Sequence, residues 1–137
     1  MTTRRTIAVL SGLALATLAF WFAQRQGSDA SGEVDLATLA IPELTAEQAT
    51  GKALFDGSCA ACHGANAAGS DQGPPLVHRI YEPSHHGDMA FVLAARQGVR
   101  AHHWRFGDMP AVEGVSDSDV QQITAYVRTL QRANGIE

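Results

Sequence analysis

The sequence predicts an all-α protein: a small domain of three main helices, preceded by an N-terminal signal-anchor helix. Three observations carry this reading. Helix-start signatures stand at Thr45 and Ser116. An apolar stripe at helical spacing runs through Val120, Ile123, Val127 and Leu130. No segment reads as a strand, since Val112 to Val115 is short and contains Gly114.

The chain opens with Arg4 and Arg5, then an apolar run from Ile7 to Ala23, then Arg25. Seventeen residues fall short of the ~20 usual for a bilayer span but lie within the tolerated range. Arginines ahead of the run keep that end in the cytoplasm. A cleavage site would need small residues before the cut. Trp21 stands badly for a cut after Ala23, and Ser28-Asp29-Ala30 lies well past the run. Residues 1–24 therefore read as a signal anchor, with a cleaved signal peptide as the alternative. Either delivers the rest of the chain across the membrane. The Arg4-Arg5 pair is a weak hint of twin-arginine export.

Residues 25–43 read as a flexible linker. Gln26 to Glu33 is small and polar with no apolar period, and Pro42 marks its end. The domain proper is residues 44–137. Its first helix starts at Thr45, where Gln48 completes a T-x-x-Q capping box, and should stop near Gly57. The middle helix opens at Gly87 or Asp88 and covers Ala90 to Gln97, with Gly98 at the left-handed position beyond its end. Ser116 caps the last helix, and Asp117 and Asp119 suit the positive end of its dipole. Arg128 and Arg132 sit near its end, and Gly135 follows.

A chain of 137 residues holds one domain plus a leader. From Leu44 on there are seven basic and ten acidic side chains, and the whole chain carries −4. That balance argues against nucleic acid and against an anionic membrane surface as partners. A domain of about 90 residues is also small for a purely apolar core.

Cys59-Ala60-Ala61-Cys62-His63 carries the chemistry. Two thiols three positions apart, followed by an imidazole, form the c-type haem attachment pattern. On one tight turn each thiol reaches one haem vinyl group, and His63 is carried under the ring to bind iron. No other cysteine remains. Such a haem would add a large apolar group to the small core. A thiol–disulfide redox pair is an alternative, but it usually sits in a βαβ context not found here. Half a zinc site is another, and would need two more ligands.

At this point the chain resembles a class I, single-haem bacterial cytochrome c, over about Thr45 to Gln131. The residues that carry the resemblance are Gly51-Lys52-Ala53-Leu54-Phe55, Cys59 to Gly64, Gly73-Pro74-Pro75-Leu76, Gly107-Asp108-Met109-Pro110 and Tyr126. It implies the small cytochrome c fold, three main helices wrapped around one covalently bound haem c. It also implies that Gly51 and Phe55 pack against Tyr126 where the first and last helices cross. The Pro74 carbonyl would accept the Nδ1–H of His63, although the Pro74-Pro75 pair departs from the commoner run and leaves open which proline serves.

Met109, before Pro110, is the second axial ligand that the resemblance implies. A following proline holds Met109 extended, and a thioether favours Fe(II) and raises the potential. His102 or His103 is the alternative ligand. Met89 reads as an ordinary core residue. Trp104, Arg105 and one of the nearby histidines are candidates to bond the haem propionates, because buried carboxylates need donors or cations. The other reading of Trp104 is a packed ring whose N–H finds a backbone carbonyl. His85-His86 and His102-His103 are unusual doublets, and a second metal site built from them is the bolder reading.

These residues imply single-electron transfer on the periplasmic side of the bacterial inner membrane, tethered through residues 7–23 or soluble after cleavage. An iron bound on both faces has no position for substrate, so an enzyme is not expected. Partners would be redox proteins of the periplasm or inner membrane. Alternatives are a cytochrome subunit of a respiratory or dehydrogenase complex, and a haem enzyme or gas sensor with a displaceable sixth ligand.

Overall fold

A computed structural model describes residues 38–137. The expected anchor at residues 7–23 lies outside them. Among the described residues, no helix is long and apolar enough to cross a membrane.

Thr45 caps α1 (Ala46–Ser58) as its spacing predicts: its hydroxyl accepts from the Gln48 backbone, and the Gln48 side chain accepts from the Thr45 N–H. The helix ends at Ser58, next to the expected stop near Gly57. The Cys59 N–H bonds to the Phe55 carbonyl, and the chain then makes one further turn, α2 (Ala60–His63). α3 (Asp88–Gln97) ends at Gly98, whose φ is 75°. α4 (Asp117–Ala133) starts at Ser116 with a full capping box, its partner being the Asp119 carboxylate. Asp119 thus does more than suit the dipole. Short 3₁₀ turns at Ala65–Ala67 and Arg79–Tyr81 complete the helical content among the described residues. The all-α expectation holds among the described residues, with one isolated antiparallel bridge, Val99 to Met109.

α4 is the spine. Its stripe of Val120, Ile123, Val127 and Leu130 is buried, together with Tyr126. α1 crosses it at Gly51, where a Cβ would stand 2.2 Å from the Gln122 carbonyl oxygen. The missing side chain permits that approach. Phe55 then meets Tyr126 with ring centroids 5.7 Å apart. The Ala65–Ala67 turn and Leu76-Val77 close the same core.

Two expectations need correction. The end of the expected linker is docked: Leu39 is buried, and Ala40 exchanges two 2.9 Å bonds with the Asn134 side chain. The ordered domain therefore includes residues before Leu44. Met89 is not core but 60% exposed. α3 turns Val92 inward and sets Phe91 under the Arg128 guanidinium, 5.0 Å from the ring centroid, which leaves Met89 on the outer side of the first turn.

Arg128 shows what periodicity missed. It is buried, and it donates to the Tyr81 carbonyl (2.5 Å), Gln131 Oε1 (2.6 Å), Asp88 (2.8 Å) and the His86 carbonyl. Gln131, fully buried, donates in turn to the Leu76 and Tyr81 carbonyls. A buried cation needs such partners. Here they tie α4 to the 76–88 loop.

Candidate functional site

The cysteine–histidine motif forms a single turn. Both the Cys62 and His63 amides bond to the Cys59 carbonyl. The 64–73 loop folds back under it: the Gly69 amide donates to the His63 carbonyl, and the Ser70 hydroxyl to the Cys62 carbonyl at 2.6 Å. The motif's outgoing carbonyls are thus satisfied within its own loop.

His63 is buried, and its Nδ1 stands 2.9 Å from the Pro74 carbonyl. A carbonyl only accepts, so Nδ1 carries the proton and Nε2 keeps its lone pair. Burial lowers the His63 pKa, opposed by the Pro74 bond. The ring is held neutral and oriented, as a metal ligand requires.

Cys59 and Cys62 are free thiols. Burial, and then the nearby Cys62, push the Cys59 thiol up to about 11. A redox thiol needs the opposite shift toward thiolate, so the disulfide-exchange reading loses support. Half a zinc site gains none either: the metal-ligand cluster found among the described residues involves neither cysteine.

Met109 is partly exposed and is fixed by the bridge to Val99, with 2.9 Å bonds in both directions. Gly98 makes this possible, since a Cβ there would lie 2.5 Å from the Met109 carbonyl oxygen. The pairing joins residues ten apart outside any strand, and periodicity carries no signal for it. Trp104 is half-buried against His78, with ring centroids 5.0 Å apart. Its Nε1 is buried with no hydrogen-bond partner; the Tyr81 hydroxyl is near but lacks bonding geometry. The expected backbone carbonyl is therefore not its partner. Arg105 is exposed.

The donor set suits a c-type haem. Two unpaired thiols flank one turn, a neutral imidazole follows with Nε2 available, and Trp104, on the 98–109 loop, carries a buried N–H without an acceptor. The cytochrome c family model matches residues 48–131. The chain is 33% identical to cytochrome c6 of Synechocystis sp. over 85 residues, covering 61% of this chain and 66% of that protein. It is 31% identical to cytochrome c-554(547) of Halothiobacillus neapolitanus over 90 residues, covering 62% of this chain and 98% of that protein. No solved structure gives a significant match. A family match across more than half of the chain, which includes the Cys59–His63 motif, shows that this chain belongs to the cytochrome c family, in its single-haem class I, with a covalently bound c-type haem as its cofactor.

Proposed function

We propose that the chain is a one-electron carrier on the periplasmic side of the bacterial inner membrane, tethered through residues 7–23. The observation that carries this is the His63 to Pro74 bond, which leaves a neutral, oriented Nε2 one residue after a pair of free thiols. When bound, the haem supplies an Fe(III)/Fe(II) couple. Cys59 and Cys62 would hold it through thioethers, and His63 and Met109 would ligate its iron. The Pro74 carbonyl fixes the His63 ring and strengthens its donation. Trp104 Nε1 donates to a propionate, and Arg105 offers a second, solvent-facing donor.

An iron held by both His63 and Met109 would have no position for substrate. The family relationship supports electron transfer as the reading. Residues 1–24 act as the anchor and the small, polar stretch Gln26 to Glu33 as the linker, which raises the local concentration near membrane redox partners. Those partners are periplasmic or inner-membrane redox proteins.

Carbon monoxide added to the reduced protein tests the closed iron site. An unchanged visible spectrum is expected, together with reversible one-electron voltammetry. A prompt spectral change would favour a haem enzyme or gas sensor. Release from membranes only by detergent is expected for the tether, whereas recovery in the soluble periplasmic fraction would contradict it.

A further inference from the structure

Two histidine doublets sixteen residues apart in sequence converge in space. One nitrogen from each of His85, His86 and His103 lies within 4.8 Å of the other two. The rings crowd together, with centroids 4.6 Å apart for His85–His86, 5.1 Å for His85–His103 and 5.3 Å for His86–His103. His102 stands beside them, 4.2 Å from His103 and 6.0 Å from His86 by ring centroids. We propose that His85, His86 and His103 form a binding site for one divalent transition-metal ion of the copper or zinc type, with His102 able to complete it.

The donor chemistry favours such an ion. Imidazole suits copper and zinc, and three histidines with one further position form a familiar coordination set. Oxygen-seeking ions such as magnesium or calcium would find no carboxylate in the trio.

The cluster is also pre-organised. His86 Nδ1–H donates to the Ile80 carbonyl at 2.6 Å, so its Nε2 lone pair is the one offered. A backbone acceptor behind a ligating histidine fixes its tautomer and ring. His102 is held likewise, donating to the Arg100 carbonyl at 2.8 Å. The backbone beneath is anchored too. The His85 and His86 amides bond to the Glu82 carbonyl, and the buried Arg128 holds the His86 carbonyl. On the other limb, Asp108 accepts from the Ala101 amide at 2.8 Å, and the Val99–Met109 bridge closes the loop base.

His103 is exposed, and its pKa is lowered by local desolvation and by the fields of His102, His86 and His85. Neutral imidazole is the form that binds metal. The roles proposed above for Cys59, Cys62, His63, Pro74, Trp104, Arg105 and Met109 leave these four side chains unassigned. The site lies between the turn that opens α3 and the loop leading to Met109, so an occupying ion would cross-link those two segments.

Haem-loaded full-length protein without an affinity tag, titrated with zinc chloride and separately with copper sulfate near neutral pH by calorimetry, tests this. One equivalent of either ion is expected to bind with micromolar or tighter affinity. The double variant H85A/H103A, in which both altered side chains are exposed, is expected to keep its haem spectrum and to lose at least tenfold in affinity. Absence of binding heat for both ions would overturn the site. So would wild-type affinity in the double variant, which would place the ion elsewhere, for example on thiols left free if the haem attachment itself were misassigned.

Discussion

Gly51 approaches Gln122 so closely that a Cβ would stand 2.2 Å from the Gln122 carbonyl oxygen. That oxygen belongs to the α4 backbone and cannot move aside as a flexible side chain would. The helix therefore accepts a glycine worth about 1 kcal/mol less than alanine in propensity. Gly51→Val should open the crossing and lose about 3 kcal/mol, the upper end of ordinary overpacking costs. A urea titration of the haem-loaded protein measures it. A midpoint at or above wild type would show that the crossing tolerates a side chain.

Arg128 should matter through its carbonyl partners rather than its ion pair. Asp88 is well exposed, so Asp88→Asn should cost less than about 1 kcal/mol. Arg128→Ala leaves the His86 carbonyl and Gln131 Oε1 without their donor. At about 1–3 kcal/mol for each orphaned buried acceptor, the loss should reach about 3 kcal/mol. Equal losses in the two variants, measured by urea unfolding, would mean that the ion pair dominates.

Much of this fold was legible in the chain because its signals are local. The Thr45 and Ser116 caps, the α4 stripe and the turn at Gly98 each follow from a few neighbouring residues. The attachment motif is local as well, and so is the His63 ring it presents. What escaped reading depends on packing between distant segments. A stripe pattern does not say that Arg128 turns inward, because three of its four acceptors, on Tyr81, His86 and Asp88, come from the returning 76–88 segment. Nor does spacing say that Met89 turns outward. The two histidine doublets were conspicuous in sequence, but their meeting depends on two loops whose paths no periodicity encodes.

Stability should fall as the solution turns acid from neutrality. Burial lowers the pKa of His78 in the folded state, while the unfolded chain titrates near 6.5. Below that value the unfolded chain binds protons that the folded chain refuses. The contribution is whole above about pH 6.5 and drains as pH falls through the lower folded value. Asp119, held low by its Ser116 bonds, keeps its charge until well below this window. Urea midpoints at pH 7.5, 6.5 and 5.5 should decrease in that order at fixed ionic strength. A flat or rising series would contradict neutral burial of the His78 ring.

Replacing Met109 should change the iron without unmaking the fold, since the Val99 bridge uses only its backbone. Met109→Ala should give a reduced protein that now binds carbon monoxide. Met109→His should lower the reduction potential by on the order of 0.2 V, because axial ligands tune haem over a wide range. Unaltered potential and carbon monoxide response in both variants would assign the sixth ligand elsewhere, with His102 or His103 the next candidates.

Extraction with acidified acetone goes most directly to the heart of the account. Protein matured where haem ligation is intact should be coloured and should keep its pigment on the polypeptide, because Cys59 and Cys62 are spent in thioether bonds. A chain that comes out colourless, or that surrenders its pigment to the solvent, would show that no porphyrin is stapled to those two sulfurs.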